Sequence, residues 1–376
     1  MVTKDAATNL KTSAPKGAGP YGSRGDSSQV EPFVDPATNP AVLKQQDYAE
    51  LKRRIVAAGL LEKQPGYYFL NAAIRLALLG TSIAILFVID ILWLQLLNAV
   101  FLAFALTQLG YLGHDAGHRQ IFRTAQRNDT FGLGINFLLG ISRTWWVDTH
   151  NEHHVDPNDL ERDPHTLLPI FAFSEEQARN KEGFLRRIIG YQGFYFFPIL
   201  LLENVGTRLA SIQFLVAREV RGKRWEASLM VVHFAVYFGL LFSALTWWHA
   251  VLFIVVHQSL QGLYMGSVFA PNHKGMPMTD GTEQWDSLLR QVLPTRNVTG
   301  GWLIDFIMGG LNLQIPHHID SLIPRCNLKR ANEICRNFCK AHGITYCEES
   351  VWKSYYLIFA FLHQISSVLR KKPVAS

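Results

Sequence analysis

The sequence predicts an all-α integral membrane protein: four transmembrane helices in two hairpins, with a helical cap on the cytosolic side. Two observations carry this expectation. Apolar residues make up 48% of the 376 positions and charged residues only 18%, less charge than soluble domains usually carry. The missing charge is also concentrated. Between Leu76 and Gly113 the only charged residue is Asp90, and between Ala227 and His273 there is none. A helix crosses the apolar core of a bilayer in about 20 residues, so each tract holds two spans joined by a tight turn.

The spans are expected at residues 67–89, 91–112, 227–247 and 249–270. Before them, residues 1–45 are rich in Gly, Pro, Ser, Thr and Ala, which cannot bury a core and read as a disordered tail. The remainder, 46–376, reads as one catalytic domain. Asp47 to Leu61 alternates apolar and charged residues at helical spacing, as an amphipathic helix at the membrane surface does. The apolar pieces Phe131–Ile141 and Ile188–Leu202 are short for spans and read as interfacial or re-entrant segments.

Charge gives the orientation. The proposed turns at Asp90 and Trp248 carry no Lys or Arg, whereas Gly113 to Ala227 carries fourteen. The positive-inside rule then places both termini and the long middle segment in the cytoplasm. The formal net charge of +6 is the excess such loops carry. No basic stripe with interleaved aromatics points to nucleic acid. Asn128 and Asn297 open glycosylation sequons, which on the cytosolic side go unused. Cys326, Cys335, Cys339 and Cys347 lack a CxxC pair, which argues against a zinc site around His342.

Three histidine groups carry the chemistry: His114-Asp115-Ala116-Gly117-His118, His150-Asn151-Glu152-His153-His154 and Gln314-Ile315-Pro316-His317-His318. On a helix, residues three and four apart share a face, so each group aims its imidazoles at one point. Neutral imidazole ligates iron, zinc or copper, and its second nitrogen needs an acceptor, for which Asp115, Asp148, Glu152 and Asp156 are candidates. Seven histidines exceed what one metal ion takes and suit two. His273, just past the fourth span, is an eighth candidate. His165, His233, His249, His257, His342 and His363 read as ordinary surface or core histidines. A zinc protease would need HExxH, and here Asp115 follows His114. A metal transporter would place its ligands within the spans rather than after them.

The order HxxxH, HxxHH, QxxHH between paired hydrophobic hairpins resembles the histidine boxes of membrane fatty acid desaturases. Gln314 at the head of the third box resembles the acyl-lipid and front-end subgroup, and GHDAGHRQIF and SVFAPNHKGMP resemble segments of bacterial linoleoyl-CoA-desaturase-like proteins. The resemblance implies a di-iron centre held by His114, His118, His150, His153, His154, His273, His317 and His318, with Gln314 beside it. It further implies O2-dependent desaturation of an acyl chain on CoA or lipid, with hydroxylation or ketolation as the alternative on the same scaffold. Electrons would come from a separate ferredoxin or cytochrome b5-type donor and its reductase; Arg218, Arg221, Lys223 and Arg224 read either as positive-inside residues before the third span or as a docking patch for that donor. In the family's third box an acidic residue usually precedes the histidine pair; here Pro316 stands there. Asp320 is then the candidate to orient His317 or His318.

Overall fold

The computed structural model describes residues 45–281, 283 and 285–370, so the expected tail lies outside the described residues apart from Gln45. The chain opens with α1 (Gln45–Ala57), followed by the long apolar helices α2 (Pro65–Val88) and α3 (Leu92–Gly117). Two helices of intermediate length come next, α4 (Ala125–Leu139) and α5 (Arg143–Val155). Short helices α6 (Glu175–Arg179) and α7 (Gly183–Ile189) lead to α8 (Gln192–Ile199), which continues through a 3-10 turn into α9 (Glu203–Ala217). The second apolar pair is α10 (Lys223–Ala244) and α11 (Trp247–His273). The remainder is α12 (Ser287–Val292), strand β1 (Asn297–Thr299), α13 (Trp302–Ile307), α14 (Gln314–Ile319), α15 (Leu328–Ala341), strand β2 (Glu348–Ser350) and α16 (Val351–Ile365). The two strands pair in parallel, Val298 opposite Glu349.

Five helical runs among the described residues are long and apolar enough to cross a bilayer, one more than the four spans expected: α2, α3, α10, α11 and the continuous run Gln192–Ala217. The apolar piece Ile188–Leu202 is short for a span, and Glu203 and Arg208 follow it in the sequence. The fold removes part of that obstacle. Arg208 is buried, donating to Gln258 Oε1 and, at 2.9 Å, to the Leu139 carbonyl. That carbonyl belongs to the C-terminal turn of α4, the negative end of a helix dipole, which suits a cation.

Large apolar side chains cover the outside of these helices. Phe69, Val88, Val216, Val231 and Trp247 are all exposed. Covering such a side chain gains about 1.5–3 kcal/mol over leaving it in water, so a surface of this kind calls for lipid. The exception is α3, more than half of whose apolar stretch is inside the protein (56%, against 17% for α2 and α10). It is the central rod, packed by α2, α4 and α11.

Below this bundle lies the cap. Its core joins Leu51 and Ile55 of α1 to Leu288 and Val292, Ile315 and Ile319, and Ala331, Cys335 and Phe338. The apolar face of α1 is thus taken up by protein rather than laid on lipid, which corrects the expectation of a surface helix. The nearby α15 supplies the matching apolar stripe. Cys335 and Cys339 fill this core and His342 stacks on Phe338, so no cysteine joins a metal-holding group among the described residues. Asn128 and Asn297, the two sequon asparagines, are fully buried and hydrogen-bonded inside.

Candidate metal centre

The histidine groups ride on helices that begin elsewhere. His114 sits in the last turn of α3 and His118 caps that helix, while His273 is the final residue of α11. Box one and the eighth histidine therefore extend apolar helices rather than following them in loops. His150, His153 and His154 share one face of α5, and His317 and His318 lie in the last turn of the short α14. Pro316 fits α14 because it lies in the first turn, where a missing N–H has no carbonyl to serve.

These elements bring all eight histidines together. His114, His118, His150 and His317 form one group able to hold a metal ion, with ring nitrogens within 4.8 Å of one another. His153, His273 and His318 form a second. His154 lies between them, its ring 4.8 Å from that of His317 and 4.3 Å from that of His318. Gln314 Nε2 is 3.5 Å from His273 Nε2.

The nitrogens meet one another rather than oxygen. His150 Nε2 is 2.9 Å from His118 Nε2 and 3.1 Å from His154 Nε2, and His153 Nε2 is 3.4 Å from His273 Nε2. His114 Nε2, His318 Nε2 and both ring nitrogens of His317 are buried without a partner among the described residues. Unpaired buried polar atoms cost about 1–3 kcal/mol each, and here they converge. Burial, followed by repulsion among neighbouring rings, holds His118, His150, His154, His317 and His318 well below the usual imidazole value of 6.5. Neutral rings present lone pairs, and an all-imidazole donor set fits a transition metal such as iron, zinc or copper.

Oxygens behind the rings set their orientation. Asp163 Oδ2 lies 2.8 Å from His153 Nδ1, Gln291 Oε1 3.2 Å from His318 Nδ1, and the Pro294 carbonyl 3.3 Å from His273 Nδ1. Asp115 Oδ1 is 3.3 Å from His114 Nδ1, and its other oxygen is taken by Arg325. Burial pushes the Asp163 carboxyl up, but the interaction with His153 outweighs it and holds Asp163 well below the usual carboxylate range.

Of the four acceptors expected from the sequence, only Asp115 stands beside a ring. Asp156 pairs with Arg162 and Arg290, Glu152 is exposed, and Asp148 lines a surface groove. Asp320, expected to orient the third box, accepts instead from the Leu322 amide, and Gln291 takes its place beside His318. Gln291, Asp163 and Arg325 lie outside the boxes and carried no local signal.

Two other residues escaped the sequence reading. Trp146 stacks on His150 at 4.5 Å between ring centres and borders His114 and His118. A side chain at Gly117 would run into it, with a Cβ 2.2 Å from the indole. The i, i+4 spacing of Trp146 and His150 was the available clue. His165, read as an ordinary histidine, has its ring 5.0 Å from that of His153 and joins a group with Asp163.

Comparison with known proteins agrees with this geometry. The fatty acid desaturase family model matches residues 91–350. An acyl-lipid (9-3)-desaturase of Physcomitrium patens is 29% identical over 87% of this chain, which spans 62% of that protein's length. A delta(6)-fatty-acid desaturase of Caenorhabditis elegans is 29% identical over 87% of the chain and 76% of its own length. A delta 8-(E)-sphingolipid desaturase of Emericella nidulans is likewise 29% identical, over 85% and 65%. The matched segment holds every histidine of the buried cluster together with α3, α10 and α11, and the chain belongs to the fatty acid desaturase family of membrane proteins.

Proposed function

We propose that this chain is an O2-dependent fatty acyl desaturase with two iron ions held by His114, His118, His150, His153, His154, His273, His317 and His318, and Gln314 beside them. The observation that carries this reading is the convergence of neutral, unpartnered ring nitrogens in a buried pocket at the ends of apolar helices. Iron bound there supplies the oxygen activation needed to remove hydrogen from an unactivated C–H bond. The protein's own share is orientation and exclusion of water. Asp163, Gln291, Asp115 and the Pro294 carbonyl fix ring tautomers, and Trp146 closes one side of the pocket.

An acyl chain suits this location because it passes from bilayer to protein without entering water. Electrons come from a separate carrier on the cytoplasmic side, where the positive-inside rule puts the termini and the cluster. Arg218, Arg221, Lys223 and Arg224, around the start of α10, offer it a cationic docking patch.

Expression in a host of known lipid composition tests the reading. The expected result is a new double bond in the host's acyl chains, absent with His150→Ala. A hydroxylated or oxidised product in its place would move the chain to another reaction on the same scaffold.

A further inference from the structure

The two histidine groups are not equally prepared. In the group of His153, His273 and His318, every ring has an oxygen acceptor beside Nδ1: Asp163 at 2.8 Å, the Pro294 carbonyl at 3.3 Å and Gln291 at 3.2 Å. An oxygen there keeps the proton on Nδ1 and leaves the Nε2 lone pair free to face inward. In the group of His114, His118, His150 and His317, only His114 has such a partner. That partner, Asp115, gives its other oxygen to Arg325, which offsets its charge. His317 has no partner at either nitrogen among the described residues, and the ring hydrogen bonds of His118 and His150 run only among histidines.

We propose that the two metal positions fill in order, the one bounded by His153, His273 and His318 first and more tightly. Asp163 and Gln291 are the positioning residues responsible. This rests on the reading above that the cluster holds two metal ions. The physical reason is preorganisation: rings already fixed in tautomer and direction pay less on binding than rings that must be reoriented. Losing a partner behind a ligand typically costs about 10–100-fold in metal affinity. Gln291 has a second contact, donating to the His154 carbonyl at 3.1 Å, so its two roles can be separated by substitution.

The test is anaerobic titration of the purified, metal-free full chain with Fe2+, repeated with Co2+ to follow the visible bands of each equivalent. Two steps are expected, the first at least about tenfold tighter. Gln291→Leu and Asp163→Asn should weaken the first step by about 10–100-fold, with changed Co2+ bands at one equivalent. Gln291→Glu keeps an oxygen beside His318 but gives up the donation to His154, and should keep the tight first step. If that variant behaves like Gln291→Leu, Gln291 acts through the His154 backbone and the proposal fails for it. Asp115→Asn should weaken the second step alone. Asp163→Asn is isosteric and preserves the test if Gln291→Leu fails to fold, as circular dichroism would reveal. Two equivalents of equal affinity, or variants that weaken only the second step, overturn the ordering while leaving the two-metal reading intact. Uptake of one equivalent or none overturns both.

Discussion

The protein buries histidines in two places, and only one of them has the makings of a metal centre. In the helix bundle, His257 is wholly buried with Nδ1 2.7 Å from the Tyr237 hydroxyl, and His233 lies parallel to the Tyr237 ring. Each has an unpartnered Nε2, as several rings of the cap do. The difference lies in what the nitrogens face. In the bundle each ring looks onto a phenol, an amide or apolar walls, and Arg208 stands nearby among Gln258 and Asn204. In the cap nitrogen faces nitrogen across 2.9–3.4 Å. Burial and an idle nitrogen therefore do not identify a ligand; convergence does.

Substitution at one histidine in each place is the strongest way to break that contrast. His150→Ala removes the ring that contacts both His118 and His154, and should lower bound iron and product formation by more than about a hundredfold. His257→Phe should leave iron content unchanged, measured by elemental analysis of the purified protein. Equal metal loss in both variants would end the distinction.

Two of the buried arginines, Arg325 and Arg208, offer a second contrast. Arg325→Met leaves Asp115 buried without its cationic partner, with His114 alone beside it, a change that typically costs about 3–5 kcal/mol of stability. Arg208 has no carboxylate partner among the described residues, so Arg208→Met should cost about 1–3 kcal/mol for its hydrogen bonds. Unfolding midpoints in detergent compare the two directly, and a larger loss at Arg208 would contradict the geometry.

Acidification sharpens the picture of neutral rings. His118, His150, His154, His317 and His318 have folded values well below 6.5, so below about 6.5 the unfolded chain takes up protons that the folded one refuses. Stability of the metal-free protein is then full above about 6.5 and falls as pH drops toward the folded values. Bound metal displaces those protons and should move the loss to lower pH. A melting temperature flat from pH 7 to 5 in the metal-free protein would argue that the rings are not held neutral.

The smallest effect is expected at Asp320. Its carboxylate serves the Leu322 amide and no ring, so Asp320→Ala should cost about 1 kcal/mol and leave iron content as it was.

Much of this was legible in the chain itself. The charge-free tracts marked α2, α3, α10 and α11 to within a few residues, and helical spacing brought out the three boxes. What escaped was what depends on contacts distant in sequence. The Gln192–Ala217 run was hidden because Arg208 is acceptable in a bundle only once Gln258 and the end of α4 reach it. Gln291 and Asp163 act across 27 and 10 residues, and no spacing rule links an amide in α12 to a histidine in α14. Asp320 looked better placed because it was nearer in sequence, and proximity in sequence was the wrong guide.

The run of α3 through Gly117 without interruption couples the centre to the bilayer itself. His114 and His118 sit at one end of a rod whose other end lies in lipid, and His273 ends a second such rod. No proline interrupts α3 before His114, whereas Pro271 stands two residues before His273 in α11. When membrane thickness changes, helices tilt to keep their apolar length covered, and here tilting would carry the imidazoles with it. On the proposed function, a product that alters the packing of the surrounding lipid would bear on the alignment of the centre that made it.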